Sequence, residues 1–439
     1  MNAGNEDKTI QPRLWTPVFA LIIILTFCCF VMGQGLNSGT SVFLAGQGYG
    51  ASLAGALALA FSIAAAFARL FLGPVIDNGK CSLVIIAGIA VLVCGTALSA
   101  LVEGVALFAI SRLLQGVGFG AATTAASTAA ANVLPHERLG EGIGYHGLGQ
   151  AVAMSIGPAF ALFLVGTDPS TNLYVGLALV GVIGFIVAFN ARYEKKWRTL
   201  PETSAYRLKM ETAFKTEEHS AQGEDLSTSV VPKRNKKTLK EIFNIFEPRA
   251  LPGAIPMTIM CPTFGFGIFF VGLYGTSLGY AHAGLFYTIS AFSMIAIRLC
   301  SKHFMDTVPA IKTFTAAVIT GIICFILLLA APYGEPFLLA AGIFYGLVLG
   351  ISLPLNQSVA VKNTPPERWG ATNALFLLMN DLGIGFASLI WGAINDTFGF
   401  QVSMICVIVC LILSYLSAWI VYPVRDKQWG RKQRSRNIR

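Results

Sequence analysis

Two side chains carry a charge into the interior of long apolar runs. Asp381 lies near the middle of the eleventh run, and Arg112 lies in the outer part of the fourth. Burial raises the pKa of a carboxyl group and a nearby cation lowers it, so Asp381 can bind and release a proton as its surroundings change. Arg112 cannot lose its proton, and it can bind an anion or tune a carboxylate. The alternatives are a structural, hydrogen-bonded acid and an arginine that extends to the outer headgroups.

Other polar side chains on the apolar runs extend this candidate proton and substrate pathway. A histidine can titrate near neutral pH, which makes His146 a candidate, and Glu141, closer to the inner surface, is a candidate proton exit. The remaining candidates are amide or phenol side chains: Gln34, Asn37, Gln115, Tyr345, Asn356, Gln357 and Asn380. Some of these side chains must only bridge helices, and a lone histidine is commonly a packed polar residue. Pro354 is expected to break the tenth helix and free a carbonyl group.

No pattern of residues predicts an enzyme or a cofactor. The chain has five His and nine Cys, without the spacing of metal ligands, and no nucleophile lies beside a base. We therefore expect no metal and no cofactor.

The elements that must position these residues are membrane-spanning helices. Of the 439 residues, 55% are hydrophobic and 12% charged, about half the charged share of a soluble domain. Apolar stretches of about 18 residues or more recur, each long enough to cross the hydrocarbon core, and the alternating pattern of barrel strands is missing. The sequence predicts an all-α polytopic membrane protein with twelve transmembrane helices.

The basic residues predict the orientation in the membrane. All of the 31 Lys and Arg residues except Arg112 can be placed on one face, if Arg69 and Arg298 extend to it along their stems. The opposite connections carry only acids: Glu103, Asp168, Glu335 and Asp396. This bias predicts a multi-pass protein of the cell membrane with both termini cytoplasmic. It also explains the net charge of +9 without a nucleic-acid partner.

The two halves of the chain repeat each other at nearly one offset. Arg69-Leu70 recurs as Arg298-Leu299, and Gly116 and Gly120 recur as Gly346 and Gly350. Six spans per half give both halves the same orientation, a parallel repeat with a site expected between them. The predicted division is 1–193 for the first six-helix bundle, 194–248 for a cytoplasmic linker, and 249–439 for the second bundle with its basic tail. The linker has too few apolar residues for its own core, and a short amphipathic helix is expected near 240–246.

Three motifs make the chain resemble the major facilitator superfamily, in its bacterial drug/proton-antiporter-like branch. The segment Gly73-Pro74-Val75-Ile76-Asp77-Asn78-Gly79-Lys80 is similar to the loop motif Gly-x-x-x-Asp-Arg-x-Gly-Arg. Arg112-Leu113-Leu114-Gln115-Gly116-Val117-Gly118 is similar to Arg-x-x-Gln-Gly-x-Gly. Gly144, Gly157 and Pro158 resemble the Gly-Pro motif of proton-coupled exporters, although Ala153 stands where that motif has glycine.

The resemblance implies a cytoplasmic gate and a helix kink. Asp77, with Gly73 allowing close approach, would meet the N-terminus of the eleventh helix and hold the halves together on the inside. The other gate candidates are Lys80, Arg138 and Asp306, the repeat partner of Asp77. Pro158 would bend the fifth helix, beside Gly144 and Gly157, as an exporter device or as a packing kink.

The function expected from these features is proton-coupled export of an amphipathic small molecule by alternating access. Asp381 would carry the proton and Arg112 would be its electrostatic partner. One alternative is proton-coupled uptake of an organic anion; an alternative of another class is a non-transporting receptor or scaffold. The expected partners are a small-molecule substrate, protons and the lipid bilayer, and we expect a monomer.

Overall fold

The computed structural model describes residues 13–77, 80–101, 104–166, 171–221, 247–364 and 369–422. Within them, twelve long helices form two sets of six. The first set is α1 Pro17–Gly46, α2 Ala51–Asp77, α3 Cys81–Leu101, α4 Val105–Val133, α5 Leu139–Val165 and α6 Asn172–Asn190. The second set is α8 Leu251–Ser277, α9 Leu285–Thr307, α10 Ala310–Ala330, α11 Glu335–Lys362, α12 Trp369–Phe398 and α13 Phe400–Val421. Between them lies α7, Ala205–Ala221.

Eleven of these helices are long and apolar enough to cross a membrane, and α9 contains a shorter apolar run, Leu285–Cys300. The predicted fold class is thereby confirmed. We call the face at which α1 begins and α13 ends the inner face, and the opposite face the outer face. Short outer turns use glycines with positive φ, such as Gly104 at 96° and Gly399 at 83°, a conformation that side chains disfavour.

Glycines at repeat-related positions pack helices in the same way in both halves. A methyl group on Gly116 of α4 would lie 2.3 Å from the carbonyl oxygen of Phe61 on α2. A methyl group on Gly346 of α11 would lie 2.2 Å from the carbonyl oxygen of Ser290 on α9. Because lipid gives helices no hydrophobic drive to associate, such close backbone packing is a main source of cohesion in a bilayer. The repeat seen in the sequence is therefore a repeat of helix contacts.

The start of the linker lies against the first half. Tyr193, the residue just before the linker, is 1% exposed and accepts a hydrogen bond from Asn132 Nδ2 at 3.0 Å. The backbone N–H of Ser82 donates to Glu194 at 3.0 Å, and the Thr203 hydroxyl donates to Glu137 at 2.7 Å. This last bond lowers the pKa of the Glu137 carboxyl group. The linker thus uses the first half in place of a core of its own; the amphipathic helix expected near 240–246 lies outside the described residues.

The two halves meet most closely towards the outer face. A methyl group on Gly55 of α2 would lie 2.2 Å from the carbonyl oxygen of Ser388 on α12, and the Ser388 hydroxyl donates to Gly55 O at 3.1 Å. On α1, the Ser41 hydroxyl donates to the carbonyl oxygen of Phe269 on α8 at 2.5 Å. Further inwards, Arg69 pairs with Asp381 at 2.9 Å, and Arg298 donates to the carbonyl oxygen of Gly147 at 3.1 Å.

Replacing Gly116 by valine should separate α4 from α2. We expect Gly116→Val to destabilise the protein by about 1–3 kcal/mol, because the new side chain has no space against a backbone carbonyl group. Gly346→Val should have a similar effect. The measurement is the melting temperature of the purified protein in detergent.

Gly144→Ala is the matched control, because a methyl group there meets no atom within 4 Å. Alanine also favours helix over glycine, so this variant should melt at the wild-type temperature or higher. A Gly116→Val protein that melts with the wild type would contradict the packing argument.

Candidate functional site

One ion pair joins the two halves within the described part of the chain. Arg69 Nε on α2 lies 2.9 Å from Asp381 Oδ2 on α12. The two side chains are 17% and 22% exposed, so neither is sealed inside its own half. Arg69 also donates to the Thr124 hydroxyl on α4 at 3.2 Å, and its guanidinium carbon lies 5.7 Å from the centre of the Phe119 ring. The pair therefore links α2, α4 and α12 around one carboxylate.

This contact corrects two predictions. Arg112 was expected to be the electrostatic partner of Asp381, and Arg69 was expected to extend its stem to the inner surface. Both were wrong: the partner of Asp381 is Arg69, which turns into the interface between the halves. An apolar pattern indicates how deep a residue lies in the membrane, but the face of the helix that it occupies depends on the neighbouring helices.

Arg112 is instead held inside the first half. It is 1% exposed and donates to Asn37 Oδ1 at 2.6 Å, to Gln115 Oε1 at 3.0 Å and to Leu57 O at 3.4 Å. Its guanidinium carbon lies 4.6 Å from the centre of the Phe61 ring, a cation–π distance. Among the described residues, no carboxylate forms an ion pair with Arg112. Neutral oxygens and an aromatic face stabilise this cation.

A further set of hydrogen bonds orients the partners of Arg112. Gln115 Nε2 donates to Ser99 Oγ at 2.8 Å and to Gly95 O at 3.1 Å, so the amide oxygen is left to face the arginine. The Ser99 and Ser111 hydroxyls lie 2.7 Å apart. Every member belongs to α1, α2, α3 or α4. The network thus lies within the first half and makes no contact between the halves.

Gln34 is a buried side chain without a hydrogen bond. It lies on the face of α1 that carries Ser38 and Ser41, one and two turns further out, which touch α8. Gln34 is 8% exposed, and its Oε1 atom has no partner. A buried amide oxygen left unpaired costs about 1–3 kcal/mol, so a group that binds there is favoured. This marks Gln34 as the predicted pathway residue with free hydrogen-bonding capacity.

Most other predicted pathway residues bridge helices. His146 is 4% exposed, and its Nε2 atom lies 3.1 Å from the Thr26 hydroxyl on α1. Asn356 accepts from the Tyr422 hydroxyl at 2.7 Å, and Asn380 Oδ1 lies 3.4 Å from Cys261 Sγ. Tyr345 donates to Phe264 O at 3.4 Å. Gln357 is half-buried, and Pro354 does not break α11, which runs unbroken through it.

The predicted gate is not assembled in the described structure. A methyl group on Gly73 would meet no atom within 4 Å, so the expected close approach at this glycine is wrong for this conformation. Lys80 is exposed, and Arg138, just before α5, pairs with Glu141 in the first turn of that helix at 2.9 Å. The side chains of Asp77 and Asp306 lie outside what the structure describes. The gate therefore stays a prediction.

The two glycines of the predicted kink motif differ in their contacts. A methyl group on Gly157 would lie 2.7 Å from Val31 O, so this glycine brings α5 onto α1. Gly144 faces open space and supports no helix contact, contrary to its place in the motif. Pro158 lies inside α5, which continues to Val165.

Asp396 is a functional candidate that the sequence did not single out. It was assigned to an outer connection, but it lies in the last turn of α12 and contacts the start of α2 from the other half. Only the spatial pairing of α2 with α12 reveals it. A cavity of about 450 Å³ near this outer face, lined by residues such as Phe43, Gln47 and Phe108, contains none of the predicted site residues.

Comparison with known proteins identifies the family. The model of the Major Facilitator Superfamily matches residues 22–387 and 328–438. The chain belongs to this superfamily. A curated relative, the staphylopine export protein of Staphylococcus aureus (strain Mu50 / ATCC 700699), is 24% identical over 315 residues, 70% of this chain and 72% of that protein.

Solved structures of other transporters share the fold. A bacterial homologue of the human lysosomal transporter Spinster aligns with a TM-score of 0.68 at 14% identity, over 92% of this chain and 96% of that chain. A D-xylose–proton symporter aligns with a TM-score of 0.65 at 15% identity, over 92% and 95%. The chain is thus a multi-pass membrane transporter, and the expectation that it is not an enzyme follows from the family.

Replacing Arg112 by lysine tests the buried network. Lysine cannot reach Asn37, Gln115 and the Phe61 ring together, so Arg112→Lys should leave buried acceptors unpaired and cost about 1–3 kcal/mol of stability. The measurement is again the melting temperature in detergent. Arg249→Lys, at a side chain 56% exposed, is the control and should melt with the wild type. Equal melting of all three proteins would remove the structural role of Arg112.

Proposed function

We propose that the chain is a secondary active transporter that exports an amphipathic small molecule in exchange for protons. The observation that carries this proposal is the Arg69–Asp381 ion pair, which joins the two halves through a carboxylate that a proton can neutralise. Export is supported by the curated relative, whose name is that of an export protein. Alternating access would proceed by rocking of the two six-helix sets against each other.

A proton and Arg69 compete for the same carboxylate. When Asp381 is charged, it attracts Arg69 across the interface and stabilises the contact between α2 and α12. Protonation removes this attraction, and Arg69 keeps the Thr124 hydroxyl and the Phe119 ring as partners within its own half. The free energy of moving the halves apart then falls. Proton binding is in this way coupled to a change of conformation.

The substrate is proposed to bind at the interface near Gln34. Its unpaired Oε1 atom can accept a hydrogen bond, so a substrate with an N–H or O–H donor would satisfy it. The surrounding α1 and α8 helices are largely apolar, which suits a substrate with an apolar part. Such a molecule would bind more tightly than one without a donor, because the amide oxygen otherwise stays buried and unpaired.

The rival functions have less support from the geometry. Uptake of an organic anion depended on Arg112, and this side chain is enclosed by Asn37, Gln115 and Phe61 inside the first half. The direction of flux in inverted vesicles separates uptake from export. A non-transporting receptor or scaffold, the other alternative, does not agree with the transporter family to which the chain belongs.

Replacing Asp381 by asparagine should uncouple transport from the proton gradient. We expect gradient-driven transport by Asp381→Asn in proteoliposomes to fall at least about tenfold, because the amide cannot exchange a proton. Substrate exchange without a gradient should continue. Glu202→Gln is the control, at a linker carboxylate 86% exposed. Full gradient-driven transport by Asp381→Asn would exclude Asp381 as the proton carrier.

Replacing Gln34 by leucine should weaken substrate binding. Leucine has a similar size but cannot accept a hydrogen bond, so we expect KM to rise about tenfold, the value of one hydrogen bond to a buried group. Gln47→Leu, at the outer end of α1, serves as the control because Gln47 is exposed. A wild-type KM for Gln34→Leu would place the substrate elsewhere.

A further inference from the structure

The carboxylate of Asp396 caps a helix that belongs to the other half of the molecule. Its Oδ1 atom accepts a hydrogen bond from the backbone N–H of Ala51 at 2.7 Å, and its Oδ2 atom accepts from the N–H of Ser52 at 2.7 Å. The Ser52 hydroxyl also donates to Oδ2. Ala51 and Ser52 are the first two residues of α2, and Asp396 lies in the last turn of α12.

This geometry gives a carboxylate a favourable place. The first N–H groups of a helix have no partner within the helix, and the helix dipole adds a partial positive charge there. Two backbone donors and one hydroxyl satisfy both carboxylate oxygens of Asp396. Hydrogen bonds to an ionised acceptor are stronger than those between neutral groups.

Small residues on both helices allow this approach. A methyl group on Gly50 would lie 2.6 Å from Asp396 Oδ2, and one on Gly392 would lie 2.5 Å from Ala51 O. Side chains at these positions would push α2 and α12 apart. The Asp396 carboxylate, its three hydrogen-bond donors and the glycines that allow close approach therefore lie at one point of contact between the halves.

We propose that Asp396 is a positioning residue of the transport cycle, which holds the outer face closed by capping α2 from the opposite half. This inference rests on the proposed alternating access. The outer ends of α2 and α12 cannot separate unless all three hydrogen bonds to Asp396 break. Rupture of this cap is therefore part of the step that opens the substrate pathway to the outside.

The contacts of glycines at the two ends of α2 support this assignment. Gly73, near the inner end, meets no neighbouring atom, while Gly55 and Gly50 near the other end are in tight contact with α12. Helix α2 thus touches α12 closely at its outer end, whereas Gly73 near its inner end has no neighbour within 4 Å. In a rocking motion, α2 and α12 would close at the inner end only when the outer end releases, so the cap on Asp396 biases the equilibrium towards the outer-closed state.

Hydrogen–deuterium exchange of the full chain in nanodiscs tests the proposal without substrate or gradient. In Asp396→Ala, we expect exchange to become about tenfold faster, equivalent to about 1.4 kcal/mol, not only at Ala51 and Ser52 but also at the outer contact of Ala159 with Gly284. That contact joins α5 to α9 and does not touch Asp396. Faster exchange there reports opening of the whole outer face.

Three further variants sharpen the comparison. Asp396→Asn keeps the shape but provides one acceptor oxygen, so it should give a smaller increase and serves if the alanine variant does not fold. Ser52→Ala removes one of the three hydrogen bonds and should give the smallest increase. Thr397→Ala is the matched control, because its hydroxyl bonds to Ala393 O on the same helix at 2.8 Å. It should exchange like the wild type.

The outcomes separate this role from a local one and from the proposed function. Faster exchange confined to the first turn of α2, or unchanged exchange, would overturn the proposal, since Asp396 would then only cap a helix or do nothing. At one fixed pD, and with neither a gradient nor substrate present, the exchange measurement requires neither proton coupling nor substrate binding. A failure of proton-coupled export in transport assays would therefore leave this result intact, and the reverse also holds.

Discussion

The contact between α2 and α12 is the constraint on which the rest of the structure depends. These helices come from opposite halves, and carboxylates of α12 meet α2 at two depths. Asp381 faces Arg69 in the interior, and Asp396 faces the start of α2 at the outer end. Charge is costly in an apolar medium, so each carboxylate stays with its partner unless something replaces it. The proposed coupling to a proton gradient depends on the replacement of Arg69 by a proton at Asp381.

The two halves share the same helix packing, but side chains at repeat-related positions have different partners. Gly116 and Gly346 make equivalent contacts in the two halves, so both halves are built by the same close packing of helices. Arg69 and Arg298 are also equivalent in sequence, but their surroundings differ. Arg69 meets the carboxylate of Asp381, whereas Arg298 donates to the carbonyl oxygen of Gly147 at 3.1 Å. A carbonyl oxygen does not take up a proton near neutral pH, so the contact of Arg298 with Gly147 cannot carry a proton in the way proposed for Asp381.

Arg112 shows how a membrane protein can keep an unpaired cation. Asn37, Gln115, Leu57 O and the Phe61 ring surround it with partial negative charge, and Ser99 and Gly95 hold Gln115 in orientation. Removing one member of such a network is destabilising, because the remaining polar groups stay buried without a partner.

The sequence by itself determined the class, the number of spans, the repeat and the family. These follow from the length of apolar runs and from motifs such as Arg112 to Gly118, which are local and need no neighbours. It also identified Asp381 as a deep acid and Gln34 as a pathway candidate, since depth along a helix can be counted in residues. Only the tertiary structure decided that Arg69 is the partner of Asp381, that Arg112 stays within the first half, and that Asp396 caps α2. Each of these depends on the rotation of a helix about its axis and on which helix of the other half it faces. These helices carry apolar residues on nearly every side, so their sequence pattern does not show which side faces the other half. Close packing across the interface determines that orientation.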